Sequence, residues 1–444
     1  MQKVWGSNEN RPAIYRLNQP TDLKNKALKL DQSDELAQFR NQFHFPQVDG
    51  KNCIYLCGNS LGLQPKSTEK FVNDEIKNWQ ERGVKGHFTG DKPWVSYHVN
   101  SKKSLAKLVG CDEDEVVAMN NLTTNLHLAL STFYRPQGRR TKILMERGAF
   151  PSDFYALHSA ITLSGNDPAA CLVELEPKDG SDYLPTQEVL EKINELGEEL
   201  ALVMFPGVQY YTGQFFDIKE ITVAAHAVGA YAGFDLAHTV GNIPLNLHDD
   251  QVDFAVWCTY KYLNSGPGST GGLFIHSENA KKTDLPRQSG WWGHNAEGRF
   301  KMDNQINPIA TVDGWQLSNI NVLSHAAHLA SLEIFDQAGI ERLRKKSVRL
   351  TGFLEQLIAN SSILSEHLKM ITPSNPEERG AQLSLFLTKL GKPVFERIVE
   401  KGVILDWREP NVIRVAPVPL YNSFLDVYQF VEILETAIQE ETGK

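Results

Sequence analysis

Short apolar strands alternate with helical segments through the middle of this 444-residue chain, and this alternation constrains the fold more than any other feature. Apolar runs at 142–145, 200–205, 230–235 and 253–258 are separated by segments with helical periodicity. Strands joined through helices pair in parallel, because each connection must cross back over the sheet. The pattern predicts an α/β fold, with a mostly parallel sheet flanked by helices in a PLP-transferase-like large domain.

The chain is too long for one core, since a single hydrophobic core rarely extends beyond about 250–300 residues. We assign residues 61–325 to the large domain. Residues 326–444 begin with a long helical stretch and then alternate strand and helix patterns, which predicts a smaller α+β domain. The N-terminal segment, 1–60, is expected to pack with this small domain.

Composition excludes several classes of partner. The net charge of −9 and the pI near 5.8 argue against nucleic acid, which requires a basic face. No apolar run approaches the roughly 18 residues of a membrane span, and the N-terminus lacks the apolar region of a signal peptide. Five scattered cysteines fit a reducing compartment, so a cytoplasmic protein is expected. Cys53 and Cys57 lack a second ligand pair at zinc-like spacing, so no metal site is expected.

A carboxylate and a lysine follow two consecutive predicted strands. Asp235 ends the run before Leu236, and Lys261 follows Cys258-Thr259-Tyr260. Ligands of open parallel sheets bind beyond the carboxyl ends of the strands. The pair suits pyridoxal 5'-phosphate (PLP), because a carboxylate keeps its pyridine nitrogen protonated and a lysine bonds to its aldehyde. From spacing alone, a solvated surface pair is the simpler interpretation.

The surroundings of Lys261 favour the cofactor interpretation. Tyr260 and Tyr262 flank it, and partial desolvation there would favour the neutral, nucleophilic amine. A predicted helix starts at Leu122-Thr123-Thr124, where backbone N–H groups and the helix dipole would attract a phosphate, although ordinary N-capping explains the same threonines. Arg414 lies in an apolar strand and must reach solvent or bind an anion. A ligand carboxylate and an internal salt bridge are the two alternatives.

Several ordered blocks resemble the kynureninase family, which are PLP enzymes of the fold-type-I aspartate-aminotransferase superfamily. The blocks are YLCGNSLGL (55–63), AFPSD (149–153), GFDLAHTVG (233–241), TYKYLN (259–264) and IRVAPVPLYNSF (413–424). The resemblance implies hydrolysis of the Cβ–Cγ bond of L-kynurenine or 3-hydroxy-L-kynurenine. The products would be anthranilate or 3-hydroxyanthranilate and L-alanine, in tryptophan catabolism and NAD biosynthesis.

The resemblance also implies a role for each matched residue. Lys261 would carry the cofactor imine and act as general base, Asp235 would contact the pyridine nitrogen, and Tyr260 is a candidate proton donor. The cofactor-binding positions are Leu122, Thr123, Phe150, Pro151, Ser152, Asp153, Asp235, His238, Tyr260, Lys261, Trp291 and Asn319. The substrate-binding positions are Ser60, His87, Ser318, Asn319 and Arg414.

The implied assembly is a homodimer whose active site is shared across the interface. Asn319 would reach in from the partner subunit, and His87 with Ser318 and Asn319 would favour the 3-hydroxylated substrate. Chain length favours the animal and fungal branch of the family over shorter bacterial members. Pro206 departs from the animal-type pattern, where a serine is expected, since proline has neither a hydroxyl nor an N–H group.

Two other classes of function compete with this interpretation. One is another fold-type-I enzyme, either an aminotransferase or a cysteine desulfurase-like lyase. A desulfurase needs a mobile reactive cysteine, and Cys258 lies inside a predicted strand. The other is a non-catalytic binding protein on the same fold, which the intact pair of Asp235 and Lys261 argues against.

Overall fold

Strands and helices alternate through the middle of the chain, as the sequence predicts. The computed structural model describes residues 20–302 and 304–443, so the first 19 positions of the predicted N-terminal segment lie outside the described residues. The strands are β1 (Gln47–Val48), β2 (Lys51–Asn52), β3 (Ile54–Tyr55), β4 (Val116–Met119), β5 (Lys142–Glu146), β6 (Leu172–Leu175), β7 (Leu200–Pro206), β8 (Tyr231–Asp235), β9 (Phe254–Trp257), β10 (Gly271–Ile275), β11 (Leu368–Met370), β12 (Leu383–Leu387), β13 (Val403–Ile404), β14 (Asp406–Arg408) and β15 (Val412–Val415). The α-helices are α1 (Pro20–Gln32), α2 (Thr68–Arg82), α3 (Val99–Val109), α4 (Leu122–Phe133), α5 (Pro151–Leu163), α6 (Pro168–Cys171), α7 (Thr186–Leu196), α8 (Ile218–Ala227), α9 (Ser277–Ala280), α10 (Val322–Ala338), α11 (Ile340–Asn360), α12 (Ser362–His367), α13 (Lys392–Glu400) and α14 (Phe424–Thr442).

The central sheet has seven strands in the order β4-β10-β9-β8-β7-β5-β6. Pairing is parallel from β6 to β9, while β10 runs antiparallel to both β4 and β9. The reversal of β10 was not predicted. It arises because the segment between β9 and β10 contains no helix that could carry the chain back across the sheet. The predicted α/β class with a mostly parallel sheet is confirmed.

Both faces of this sheet are covered, and alternate residues of a strand enter different hydrophobic clusters. In β7, Val203 and Phe205 pack in one cluster, while Leu202 and Met204 pack in the other. Such two-sided burial explains why the strands read as continuous apolar runs. The carboxyl ends of β5, β7, β8 and β9 meet at one edge, which is where the candidate site lies.

The C-terminal part builds a second, antiparallel sheet in the order β11-β12-β15-β14, with its own hydrophobic cluster. Ile54 in β3 pairs with Val403 in β13, and α1 packs against α14. On these contacts we propose that residues 20–60 belong with the small domain. The predicted break in the long helical stretch is confirmed at Gly339, where φ is +77°. Because α10 packs against α2 and α3, we propose Gly339, rather than residue 325, as the end of the large domain.

Within the described part of the chain, no helix combines the length and the apolar character that crossing a bilayer requires.

A methyl group added to β8 should destabilise the central sheet. A Cβ at Gly233 would lie 2.1 Å from Cζ of the fully buried Phe254, so Gly233→Ala should lower the free energy of unfolding by about 1–3 kcal/mol. Gly352 lies exposed within α11 with no atom near its Cβ position, so Gly352→Ala should raise that free energy by about 0.5–1 kcal/mol. Thermal unfolding followed by circular dichroism measures both. An unchanged midpoint for Gly233→Ala would contradict the close approach.

Candidate active site

A cavity of about 150 Å³ opens at the edge of the central sheet where β5, β7 and β8 end. Its walls are formed by Leu122, Thr123, Glu146, Phe150, Ser152, Asp153, Pro206, Val208, Tyr210, Asp235, Ala237, His238, Tyr260 and Lys261. Nine of the twelve residues predicted to bind the cofactor are among them. The rule that ligands bind beyond the carboxyl ends of parallel strands therefore predicts the position of this cavity. Residues far apart in the sequence contribute to its wall.

The amine of Lys261 faces this cavity without a protein partner. Its Nζ lies 5.7 Å from the ring centroid of Phe150 and 6.0 Å from that of Tyr260. Among the described residues, no hydrogen-bond or ion-pair partner of this Nζ occurs. A half-buried amine in contact with aromatic faces is available for reaction with a ligand.

Asp235, the last residue of β8, is buried opposite that amine. The backbone N–H of Ala237 donates to its Oδ1 at 2.7 Å, and the carboxyl of Asp153 hydrogen-bonds to it. Burial raises the pKa of Asp235, while the positive charge of Lys261 opposes the rise. Burial, followed by the charge of Asp235, raises the pKa of Asp153 well above its usual range. Of the two carboxyl groups, Asp153 therefore has the stronger tendency to keep a proton, with Asp235 as the acceptor of its hydrogen bond.

Glu146 is a third buried carboxyl group in the cavity. It is not among the site residues predicted from the sequence. It is the last residue of β5, and burial, with a further contribution from Asp235, raises its pKa well above the usual range. The predicted strand ends at Met145, whereas the observed strand ends at Glu146. Glu146 was therefore not considered as a residue at a strand end. Val208 and Tyr210, from the loop after β7, were missed because no strand or helix pattern marks them.

The N-termini of two helices contribute residues to the wall of the cavity. Leu122 and Thr123 form the first turn of α4, while Ser152 and Asp153 lie in the first turn of α5. Pro151 occupies the first position of α5 and does not itself line the cavity. Unpaired N–H groups and partial positive charge at helix N-termini suit a phosphate group.

Three predicted residues do not reach the cavity within this chain. Trp291 is 48% exposed and donates from Nε1 to the backbone oxygen of Arg299 at 2.9 Å. It lines a separate cavity of about 320 Å³ in the loop around 289–308. Ser318 is exposed, and Asn319 has a buried Oδ1 without a described partner. The cofactor contacts predicted for Trp291 and Asn319, and the substrate contacts predicted for Ser318 and Asn319, are therefore not made at this cavity within the chain.

Two residues predicted for the aryl end of the substrate also lie off the cavity wall. Ser60 is half-buried in the turn after β3, and its hydroxyl hydrogen-bonds to the thiol of Cys57. His87 is half-buried, with its ring edge-on to Trp94 at 5.2 Å and Nδ1 3.1 Å from the backbone oxygen of Val84.

Arg414 forms the internal salt bridge that was one of its two predicted alternatives. Its guanidinium is fully buried and pairs with Asp406, while Nη1 donates to the backbone oxygen of Tyr210 at 2.8 Å. Tyr210 itself lines the cavity, so the guanidinium lies directly behind the cavity wall. Asp406 was missed, because its strand, β14, was not predicted.

Comparison with known proteins decides the family. Residues 343–434 match the model described as the kynureninase C-terminal domain. The proteins named kynureninase from Flavobacterium psychrophilum and Myxococcus xanthus are each 49% identical to this chain, over 93% and 94% of it and 98% of their own lengths. This chain belongs to the kynureninase family. Bacterial members match along nearly their whole length, so chain length does not separate the branches, and the animal or fungal branch stays a prediction.

Solved structures with the same fold are more distant in sequence. A cysteine desulfurase from Thermococcus onnurineus NA1 has a TM-score of 0.71 at 18% identity, covering 87% of this chain and 95% of that one. A cysteine desulfurase from Escherichia coli has a TM-score of 0.73 at 16% identity, covering 91% and 99%. This likeness confirms the predicted fold of a large α/β domain with a smaller domain.

Pro206, the departure from the animal-type kynureninase pattern, lies on the cavity wall. It ends β7 in register with Asp235 on β8. With no hydroxyl and no N–H group, it offers neither a cofactor contact nor a hydrogen bond to the neighbouring carboxyl groups. Asp235 is instead satisfied by the N–H of Ala237 and by the carboxyl of Asp153.

One group with metal-ligand chemistry lies outside the cavity. Glu115, His248 and His276 bring their ligand atoms within 4.8 Å of one another. The ligand atoms already have protein partners, since Nδ1 of His248 faces both carboxylate oxygens of Glu115 at 2.9 Å and Nδ1 of His276 accepts from the N–H of Glu278. These contacts account for the group as a structural link among the segment before β4, the segment before β9 and the segment after β10.

Replacement of Glu146 by Gln should flatten the pH dependence of stability. A buried carboxyl whose folded pKa is raised keeps a proton that the unfolded chain has released, so its stabilisation is complete below the unfolded pKa and is lost as pH rises toward the folded pKa. Each such group lowers the free energy of unfolding by up to about 1.4 kcal/mol per pH unit in that window. Glutamine cannot titrate, so the decline should be shallower.

Urea unfolding of the cofactor-free protein at pH 5 and pH 8 measures this slope. Glu198→Gln, at an exposed position before β7, provides the matched control and should keep the wild-type slope. Equal slopes for Glu146→Gln and the wild type would refute the raised pKa.

Proposed function

We propose that this protein is a PLP-dependent hydrolase that cleaves the Cβ–Cγ bond of L-kynurenine or 3-hydroxy-L-kynurenine. Water is consumed, and the products are anthranilate or 3-hydroxyanthranilate and L-alanine. One observation carries the proposal: in a chain of the kynureninase family, the amine of Lys261 and the buried Asp235 line one cavity, together with residues from the first turns of two helices. The reaction would serve tryptophan catabolism and NAD biosynthesis.

The residues present fit PLP. When bound, PLP supplies an aldehyde that condenses with amines and a protonated ring that accepts electron density from the substrate. Lys261 would bind the aldehyde, Asp235 the ring nitrogen, and Phe150 one face of the ring. Buried Nδ1 of His238 has no described partner, so a ligand atom in the cavity would satisfy it. The phosphate would bind at Leu122, Thr123 and Ser152.

The ionisation of the cavity suits proton transfer at the substrate. Lys261 would accept the Cα proton of the substrate at Nζ. Burial raises the pKa of Tyr260 above its usual value, so its phenol would remain protonated at neutral pH and could donate a proton. Protonated Asp153 and Glu146 would leave Asp235 as the single negative charge beside the ring nitrogen.

The substrate would extend beyond this cavity in two directions. Arg414 would bind the α-carboxylate, while Ser60, His87, Ser318 and Asn319 would surround the aryl end. A homodimer in which the partner subunit completes the site is supported by two observations. Trp291 and Ser318 are exposed, and the buried Oδ1 of Asn319 has no described partner. Five cysteines without disulfides support action in the cytoplasm.

Cysteine desulfurase chemistry is not favoured by the cysteines. The charge of Lys261 acts on Cys258, but that thiol is buried directly after β9, and burial raises its pKa. A desulfurase needs a thiolate on a mobile segment, because the thiolate is the nucleophile.

Lys261→Ala should abolish covalent binding of PLP. Wild-type protein incubated with PLP should show the visible absorbance band of a lysine-bound cofactor and release anthranilate from kynurenine. The variant should lose the band and at least 1,000-fold of kcat (roughly, for removal of a covalent and general-base group). Lys281→Ala, at an exposed lysine, is the control and should keep both. A wild-type protein without the band after incubation with PLP would contradict the cofactor assignment.

We expect a higher kcat/KM for 3-hydroxy-L-kynurenine than for L-kynurenine. The His87 imidazole can hydrogen-bond to the 3-hydroxyl, so His87→Ala should reduce the preference by about threefold to tenfold. His127→Ala, exposed on α4, should leave the ratio unchanged. Steady-state formation of anthranilate from L-kynurenine and of 3-hydroxyanthranilate from 3-hydroxy-L-kynurenine measures the ratio. Equal or better kcat/KM of the wild type for unsubstituted kynurenine would reject the preference.

A further inference from the structure

Three charged residues lie on one face of the small sheet, beside the candidate active site. Asp406 and Arg408 are two positions apart in β14, and Arg414 in β15 is the cross-strand partner of Asp406. Side chains two apart on a strand, and those of directly paired residues, share a face of the sheet. Trp407 and Ile413 therefore point the other way, and both pack in the hydrophobic cluster of the small domain.

One carboxylate compensates two guanidinium groups in this cluster. Oδ2 of Asp406 accepts from Nη2 of Arg408 at 3.2 Å and also from Nη2 of Arg414. The cluster of Asp406, Arg408 and Arg414 consequently carries one net positive charge. The side chain of Arg414 is 1% exposed, whereas that of Arg408 is 36% exposed, so Arg408 forms the outer part of the cluster.

Donors in both guanidinium groups lack partners. The Nε atoms of Arg408 and Arg414 are buried, and neither has a hydrogen-bond acceptor among the described residues. Buried donors are nearly always satisfied, and a charged one left unpaired costs about 1–3 kcal/mol or more. One net positive charge and two unused N–H groups together match one carboxylate of a ligand.

This cluster lies next to the cavity that contains Lys261. Nη1 of Arg414 donates to the backbone oxygen of Tyr210, which lines the cavity. The charges of Arg414 and Arg408 both lower the pKa of His238, after the larger effects of burial and Lys261. Both arginines therefore act on the same space as the amine.

We propose that Arg408 is a second carboxylate-binding residue of the substrate site, and that Asp406 is the positioning residue for both arginines. The inference rests on the proposed function, in which the substrate is an α-amino acid. Arg414 contributes the buried side of the carboxylate site and Arg408 its outer side. Asp406 restricts both guanidinium groups, so that their free N–H groups face one ligand carboxylate.

L-Alanine and ethylamine form a matched pair of probes, because they differ only in the carboxylate. Each is titrated into the PLP-loaded enzyme, and its Kd is taken from the change in visible absorbance. Arg408→Gln should weaken L-alanine binding by about tenfold or more, through loss of charge-assisted hydrogen bonds, and ethylamine by less than about twofold. Arg408→Lys retains the charge but not the Nε donor and should fall between wild type and Arg408→Gln. Arg397→Gln, on the exposed side of α13, is the control and should match the wild type.

Asp406 is tested by the same ratio of dissociation constants. Asp406→Asn should reduce the preference for L-alanine over ethylamine, and Asp406→Glu should restore part of it. A general structural defect would weaken both probes alike. With kynurenine as substrate, Arg408→Gln should raise KM more than it lowers kcat, because binding of the carboxylate persists unchanged through the reaction.

The outcomes separate this inference from the proposed function. A wild-type protein without a PLP absorbance band contradicts the proposed function. A normal band in Arg408→Gln with an unchanged ratio for the two probes, or with equal weakening of both, overturns the role of Arg408. If Arg408→Gln does not fold, Arg408→Lys decides, and an unchanged ratio in that variant overturns the proposal.

Discussion

Three buried carboxyl groups and one half-buried amine lie together at the carboxyl edge of the central sheet, and the electrostatics of this arrangement govern the candidate site. Ionising Glu146, Asp153 and Asp235 together would place three negative charges opposite Lys261 alone in a low-dielectric space. Protonation of Glu146 and Asp153 is the less costly state. The site therefore presents one negative charge, which suits a cationic ring nitrogen, beside the amine of Lys261.

The small domain provides the opposite charge. Its polar sheet face, which carries Arg408 and Arg414, contacts the loop after β7, where Nε2 of Gln382 donates to the backbone oxygen of Tyr210 at 2.9 Å and Ser384 to that of Tyr211. An α-amino acid has an amine and a carboxylate at a fixed separation. If Lys261 and Arg414 bind the two ends of the substrate as proposed, the packing of the two domains through this loop would set the spacing between them.

The site residues that could be predicted from the sequence are those whose neighbours along the chain indicate their position in the fold. Asp235 and Lys261 follow long apolar strands, so the rule for ligands at strand ends located them without knowledge of the fold. Glu146 was not predicted as a site residue, because the end of a strand predicted from sequence is commonly wrong by one residue. β14 was not predicted, because its sequence, Asp-Trp-Arg, has one apolar residue between two charged ones. A strand of three residues is too short to show a periodic pattern.

Pairing across the fold could not be predicted at all. The choice between a ligand and a salt bridge for Arg414 depended on a carboxylate eight positions earlier, whose proximity follows from the antiparallel register of β14 and β15. That register also explains why the two alternatives are not exclusive. A guanidinium has five N–H donors, and Asp406 and Tyr210 leave the Nε donor unused. The salt bridge therefore holds Arg414 in place without using all of its donors, and the buried Nε is among those that an anion could still accept from.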